Sequence, residues 1–96
     1  MQNIRNEFLI ISSDQELDLE NAIEIEFINV GDIDVEINNV YRLSRLIFVM
    51  GGLTNYDYKL LLKNNLNEID VTLYRIRFLA NIPNRKLIVR VKYKVS

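Results

Sequence analysis

The side chains that most often carry out catalysis are missing. Neither cysteine nor histidine occurs among the 96 residues. That removes thiolate nucleophiles, imidazole bases, disulfides and the usual zinc ligands together. Carboxylate, hydroxyl and glycine chemistry are left. Asp14, Glu16, Asp18 and Glu20 fall at every second position, so on a strand they share one face and could attract a calcium ion. A calcium loop, however, converges its oxygens through a sharp turn at glycine, and no Asp-x-Asp-x-Asp-Gly pattern is present. A solvated acidic strand with Leu17 and Leu19 turned inward is the simpler reading.

Asp57, Glu68 and Asp70 could meet other carboxylates in space and supply the acid and base of glycoside hydrolysis. With no tryptophan in the chain, the sugar platform is poor. Ser12, Ser13, Ser44 and Ser96 have no nucleophile-elbow context and no imidazole partner. Gly51-Gly52 lacks the following lysine and helix of a phosphate loop. The expectation is a protein that is not an enzyme and holds no metal or cofactor.

Charge order is more informative. Residues 1–41 carry one arginine and ten carboxylates, a net −9, while residues 42–96 carry eleven cations and three carboxylates, a net +8. The overall −1 conceals a strongly dipolar chain. Apolar parity predicts two hairpins. In the trailing one, Thr72–Leu79 folds back on Lys86–Val95, with Phe78 facing Leu87, Ile76 facing Val89 and Tyr74 facing Val91 on the core side. Its outer side sets Arg75 against Arg90, with Arg77, Lys92 and Lys94 nearby, and like charges opposite one another cost about 0.2–1 kcal/mol. In the leading one, Phe27 pairs with Val35 and Ile25 with Ile37, leaving Glu26 opposite Glu36 beside Glu24 and Asp34. The two faces either adjoin within one molecule and neutralise each other, or meet across subunits. Val71 and Leu73, apolar on the outer side of the basic hairpin, are candidates to seed a subunit contact.

The elements behind these faces are strands. Isoleucine and valine, which fit a pleated surface, are abundant and alanine is scarce. Period two runs through Ala22–Asn29, Ile33–Asn39 and Lys86–Val95. Asn38-Asn39 suits a tight reversal, Leu46–Met50 is a short apolar run, and Thr54–Asn64 alternates better as a strand than it caps as a helix. Asparagines between the apolar runs, Asn29, Asn38, Asn39, Asn55, Asn64, Asn65, Asn67, Asn81 and Asn84, are expected to do turn work usually given to glycine. About seven or eight short antiparallel strands make an all-β protein, a single β-sandwich over residues 1–96, immunoglobulin-like or jelly-roll-like. Residues 1–7 are a candidate disordered lead-in.

Phe8–Ile11 is an apolar run too short for a secretory core of about 7–15 residues or a membrane helix of ~20. A soluble protein without a cleavable signal, in a virion or the cytoplasm, is expected. Three stretches, IEIEFINVGDIDVEINNVYRL, NEIDVTLYRIRF and RKLIVRVKYKV, resemble small strand-rich structural proteins of tailed bacteriophages, the crAss-like group included. The resemblance implies a sandwich that decorates a capsid or joins tail parts, with protein partners, itself among them, and no catalytic motif to carry over. This reading expects association that weakens as salt rises. A rival is a carbohydrate- or ligand-binding module with Tyr41, Tyr56 and Tyr58 as its platform. Nucleic acid is the lesser alternative, because the pI is 5.4 and parity turns Tyr74 and Tyr93 inward, away from any base.

Overall fold

A computed structural model describes residues 3–45, 48–49, 52–53, 58–81 and 83–95. Along them run β1 (Asn3–Ile11), β2 (Gln15–Asp18), β3 (Ala22–Asn29), β4 (Val35–Ile37) and β5 (Tyr41–Leu43). These are followed by β6 (Phe48–Val49), β7 (Gly52–Leu53), β8 (Lys59–Lys63), a 3-10 turn (Asn64–Leu66), β9 (Leu73–Phe78) and β10 (Leu87–Val95). β1 therefore begins inside the lead-in. Leu46, Ile47, Met50, Gly51 and Thr54–Asp57 lie outside the described residues, whereas Lys59–Lys63 is a strand, as its alternation predicts.

Eight strands form two four-stranded sheets. Sheet 1 has the order β1-β10-β3-β8 and sheet 2 the order β2-β9-β4-β5, with β6 and β7 a small hairpin apart. The antiparallel pairs β1–β10, β2–β9, β3–β8 and β4–β5 are successive stretches of one long ribbon folded at Asn38-Asn39 and laid alternately on the two layers. β10 then pairs with β3 and β9 with β4, which closes each sheet. This is the jelly-roll arrangement, and it decides between the two sandwich types expected.

Asn38 and Asn39 have φ of 55° and 57°, and the Val40 amide donates to the Ile37 carbonyl. Two successive positive φ angles are what a type I′ reversal requires. All five non-glycine residues with positive φ among the described ones are asparagines: Asn21, Asn38, Asn39, Asn67 and Asn84. Asn29 is the exception to the turn reading, since it is fully buried at the end of β3.

The core lies between the layers. Phe27, Ile25, Val89, Val91 and Leu87 of sheet 1 meet Tyr74, Ile76, Val35 and Ile37 of sheet 2, all at 2% exposure or less. Burying such side chains is worth roughly 1.5–3 kcal/mol each, so the hydrophobic term holds the layers together. The rings of Phe27 and Tyr74 stand 5.6 Å apart across the gap.

Here the two predicted hairpins are corrected. β9 belongs to sheet 2 and β10 to sheet 1, as β4 belongs to sheet 2 and β3 to sheet 1. Phe78, Ile76 and Tyr74 do point inward with Leu87, Val89 and Val91, but they face them from the other layer. Inward parity is the same for a strand beside and a strand across the core, so alternation cannot tell the two apart.

Candidate functional site

The outer faces carry the residues singled out from the sequence. On sheet 1, Arg90 lies opposite Glu26 and Lys92 opposite Glu24, while Glu24 lies opposite Lys63 on its other side. The Lys92 ammonium stands 3.1 Å from Glu24, Lys63 3.9 Å from the same carboxylate, and Arg90 3.5 Å from Glu26. On sheet 2, Arg75 pairs with Glu16 at 3.9 Å and Arg77 with Glu36 at 3.8 Å. Asp34 accepts two hydrogen bonds from the Arg42 guanidinium and one from the Arg45 amide. Burial pushes its carboxyl up, but those hydrogen bonds and the charge of Arg42 outweigh it and hold Asp34 below the ordinary 3.8.

The predicted basic face is thus divided. Arg75 and Arg77 project from sheet 2 and Arg90, Lys92 and Lys94 from sheet 1, on opposite outer faces of the sandwich. The acidic set divides likewise, Glu24 and Glu26 on sheet 1, Asp34 and Glu36 on the sheet 2 side. Each basic strand is inserted between two strands of the acidic half, β10 between β1 and β3, β9 between β2 and β4. Neutralisation within one molecule is the outcome, although in two sheets instead of one. Such exposed pairs contribute about 0–1 kcal/mol each, enough to favour register but not to hold the fold.

Removing the charge from contention leaves an apolar feature that the sequence reading missed. Ile10, Ile88 and Ile28 are successive cross-strand neighbours on the outside of sheet 1. Phe8 lies opposite Arg90 and Leu61 opposite Glu26 in the next row. Phe8 is 58% exposed, Ile10 57%, Ile4 49% and Leu61 42%. Between Phe8 and Leu61 runs a groove of about 420 Å³ floored by the Arg90–Glu26 and Lys92–Glu24 pairs. The missed signal was parity: Ile28 and Ile88 share the outward phase of Glu26 and Arg90.

Val71 and Leu73 are exposed, as expected. They lie toward the opposite end of the molecule, beside a depression lined by Leu19, Ala22, Asn64 and Ile69, and Leu73 is set against Asp18 of β2. Tyr74 and Tyr93 are core residues. The Tyr74 hydroxyl finds no hydrogen-bond partner among the described residues, and burial above all, then Asp70 and Tyr41, pushes it above the usual phenol range. Burial likewise raises Tyr93, whose ring is covered by the Arg5 guanidinium at 4.7 Å. Tyr41 starts β5 in sheet 2 and Tyr58 precedes β8 in sheet 1, so these two form no common platform; Tyr56 lies outside the described residues. Asp14, from the alternating acidic run, accepts the Phe78 amide at 2.8 Å. Comparison with known proteins gives no match: no protein family, no curated protein and no solved structure matches the chain.

Proposed function

We propose that this chain is a non-enzymatic assembly protein that works by contact with other protein surfaces through the outer side of sheet 1, in the setting of a phage virion. One observation carries the reading: exposed Ile10, Phe8 and Leu61 and half-buried Ile88 and Ile28 make one contiguous apolar patch on the outer face of sheet 1, whose Arg90, Lys92, Glu24 and Glu26 are already paired with one another. Contiguous exposed apolar surface of this kind marks protein contact sites. The virion setting draws on the likeness to tailed-phage structural proteins and on the use of jelly rolls in capsids, both of them analogies of architecture. The carboxylates of the acidic set, Glu24, Glu26, Asp34 and Glu36, are each engaged by a cation.

Because the ionic groups are engaged, the contact is apolar and should persist when salt is raised, contrary to the expectation from charge order alone. Sedimentation of the purified chain tests this. The average mass is expected to rise with concentration at low and high salt, and Ile10→Lys/Ile28→Glu should lower it without loss of folded signal. Wild type and variant both sedimenting as single chains at millimolar concentration would overturn the reading.

A further inference from the structure

Sheet edges are where unpaired backbone invites another chain, and proteins usually blunt them with short strands, charge, proline or bulges. Three of the four edges here are blunted. β8 is five residues long with Lys59 and Lys63 on its outer side, β2 is four with Glu16 and Asp18, and β5 is three with Arg42. β1 is blunted least: it runs nine residues with neither lysine nor proline, its only two charges, Arg5 and Glu7, are of opposite sign, and it shows Ile4, Phe8 and Ile10 outward.

We infer that the free edge of β1 pairs antiparallel with β1 of a second copy, about a twofold axis at Asn6, to make one continuous eight-stranded sheet. The sequence of the strand selects that register. With Asn6 opposite Asn6, Arg5 falls opposite the second copy's Glu7 and Glu7 opposite its Arg5, while Ile4 and Phe8 pair on the outer face, each relation occurring twice. A slip of two residues in one direction sets Glu7 against Glu7, and in the other Arg5 against Arg5. Slips of one residue reverse the faces. Arg5 and Glu7 are exposed and half-buried, 3.8 Å apart along their own strand, and their neighbours on β10 are Tyr93 and Val91. Within one copy Arg5 pairs with Glu7 and covers the Tyr93 ring, so the twofold exchanges one intrastrand ion pair in each copy for two cross-strand ones. An axis through Asn6 is isologous, so the contact closes at two copies. It also brings the two Ile10–Ile88–Ile28 rows onto one face of the joined sheet, and in that sense the inference deepens the assembly reading and names its first partner as a second copy.

The chain's lack of cysteine makes the register directly testable. Asn6→Cys is expected to form a disulfide-linked dimer under mild oxidation, whereas Arg5→Cys and Glu7→Cys, which meet themselves only in the slipped registers, should not. Glu7→Arg sets like charges together twice and should weaken the dimer by about tenfold or more, and Arg5→Glu/Glu7→Arg should restore it. Circular dichroism confirms that each variant is folded, and recovery in the double variant shows that a loss came from charge and not from unfolding. Linking at Glu7→Cys instead of Asn6→Cys, or a Glu7→Arg dimer as tight as wild type, would overturn the inference. If those results appear while Ile10→Lys/Ile28→Glu still lowers the mass, the edge is refuted and the apolar face stands. A wild type that stays a single chain refutes both.

Discussion

At one end of the sandwich, where β1, β3 and β9 run out, polar side chains reach from one element to another. At the other end, all three connections turn on left-handed asparagine backbone. In the first, Asn29 donates to the Ile33 and Leu43 carbonyls at 2.8 and 3.1 Å and accepts the Gly31 amide. Since β3 is in sheet 1 and β5 in sheet 2, one amide side chain joins the layers. Nearby, the Asp32 amide donates to Asn84, Val30 to Lys86 and Leu79 to Asp34, so the β3–β4 and β9–β10 connections are fastened together. At the second end, Asn21, Asn38, Asn39 and Asn67 supply positive φ, and the Asn38 side chain also fastens its hairpin to β9 within sheet 2, donating to the Leu73 carbonyl and accepting the Arg75 amide. The same residue type is a buried cross-layer tie at one end and a permissive turn former at the other. The first end joins the two layers; the second sets the direction of the chain and fastens neighbouring strands within each layer.

Breaking the tie should have the largest effect. Asn29→Leu leaves three buried backbone groups without partners, and each orphaned group costs about 1–3 kcal/mol. Urea denaturation is expected to show a loss of roughly 3 kcal/mol or more, or no folded protein at all. Next comes Gly31→Ala. A Cβ there would stand 2.5 Å from the Asn84 carbonyl oxygen and 2.7 Å from the Lys86 nitrogen, both backbone, so the fastened connections must part. Overpacking of this kind costs about 1–3 kcal/mol, and the same titration reads it.

The turn end should respond less. Asn39→Ala keeps the positive φ but loses asparagine's tolerance of it, for about 1 kcal/mol, whereas Asn39→Gly should match or slightly exceed the wild type in thermal melting. The smallest effect belongs to Asp34. Its carboxyl is lowered in the folded state, so the stability it contributes is present above the unfolded value and lost as pH falls through the folded one. Melts at neutral and acid pH should show Asp34→Asn below wild type at pH 7, the two converging below about pH 4.

Sequence reading recovered most strands but not β1, whose residues Asn3–Glu7 it left as a disordered lead-in, and not the strands' neighbours. Period two in Ile23–Phe27 and Leu87–Val95 records which side each residue faces, because that is local geometry. Whether Ile76 meets Val89 beside it or across the core is decided by how the ribbon folds over, and either answer satisfies the same pattern. Charge order had the needed information in a form that alternation could not decode: acidic strands come first and basic ones later because the fold alternates them in space. Asn29 was read as a turn residue because its composition is that of one, and only burial reveals the tie. Ile28 and Ile88 were visible as apolar residues in the outward phase, yet their alignment into one row depends on β10 lying beside β3.

β10 occupies an inner place in sheet 1, held by β1 on one side and β3 on the other, although it is the final strand of the chain. During synthesis the leading strands emerge without the piece that must lie between them. Neither four-stranded ladder can be completed until β9 and β10, the late strands that fill the inner places, have followed.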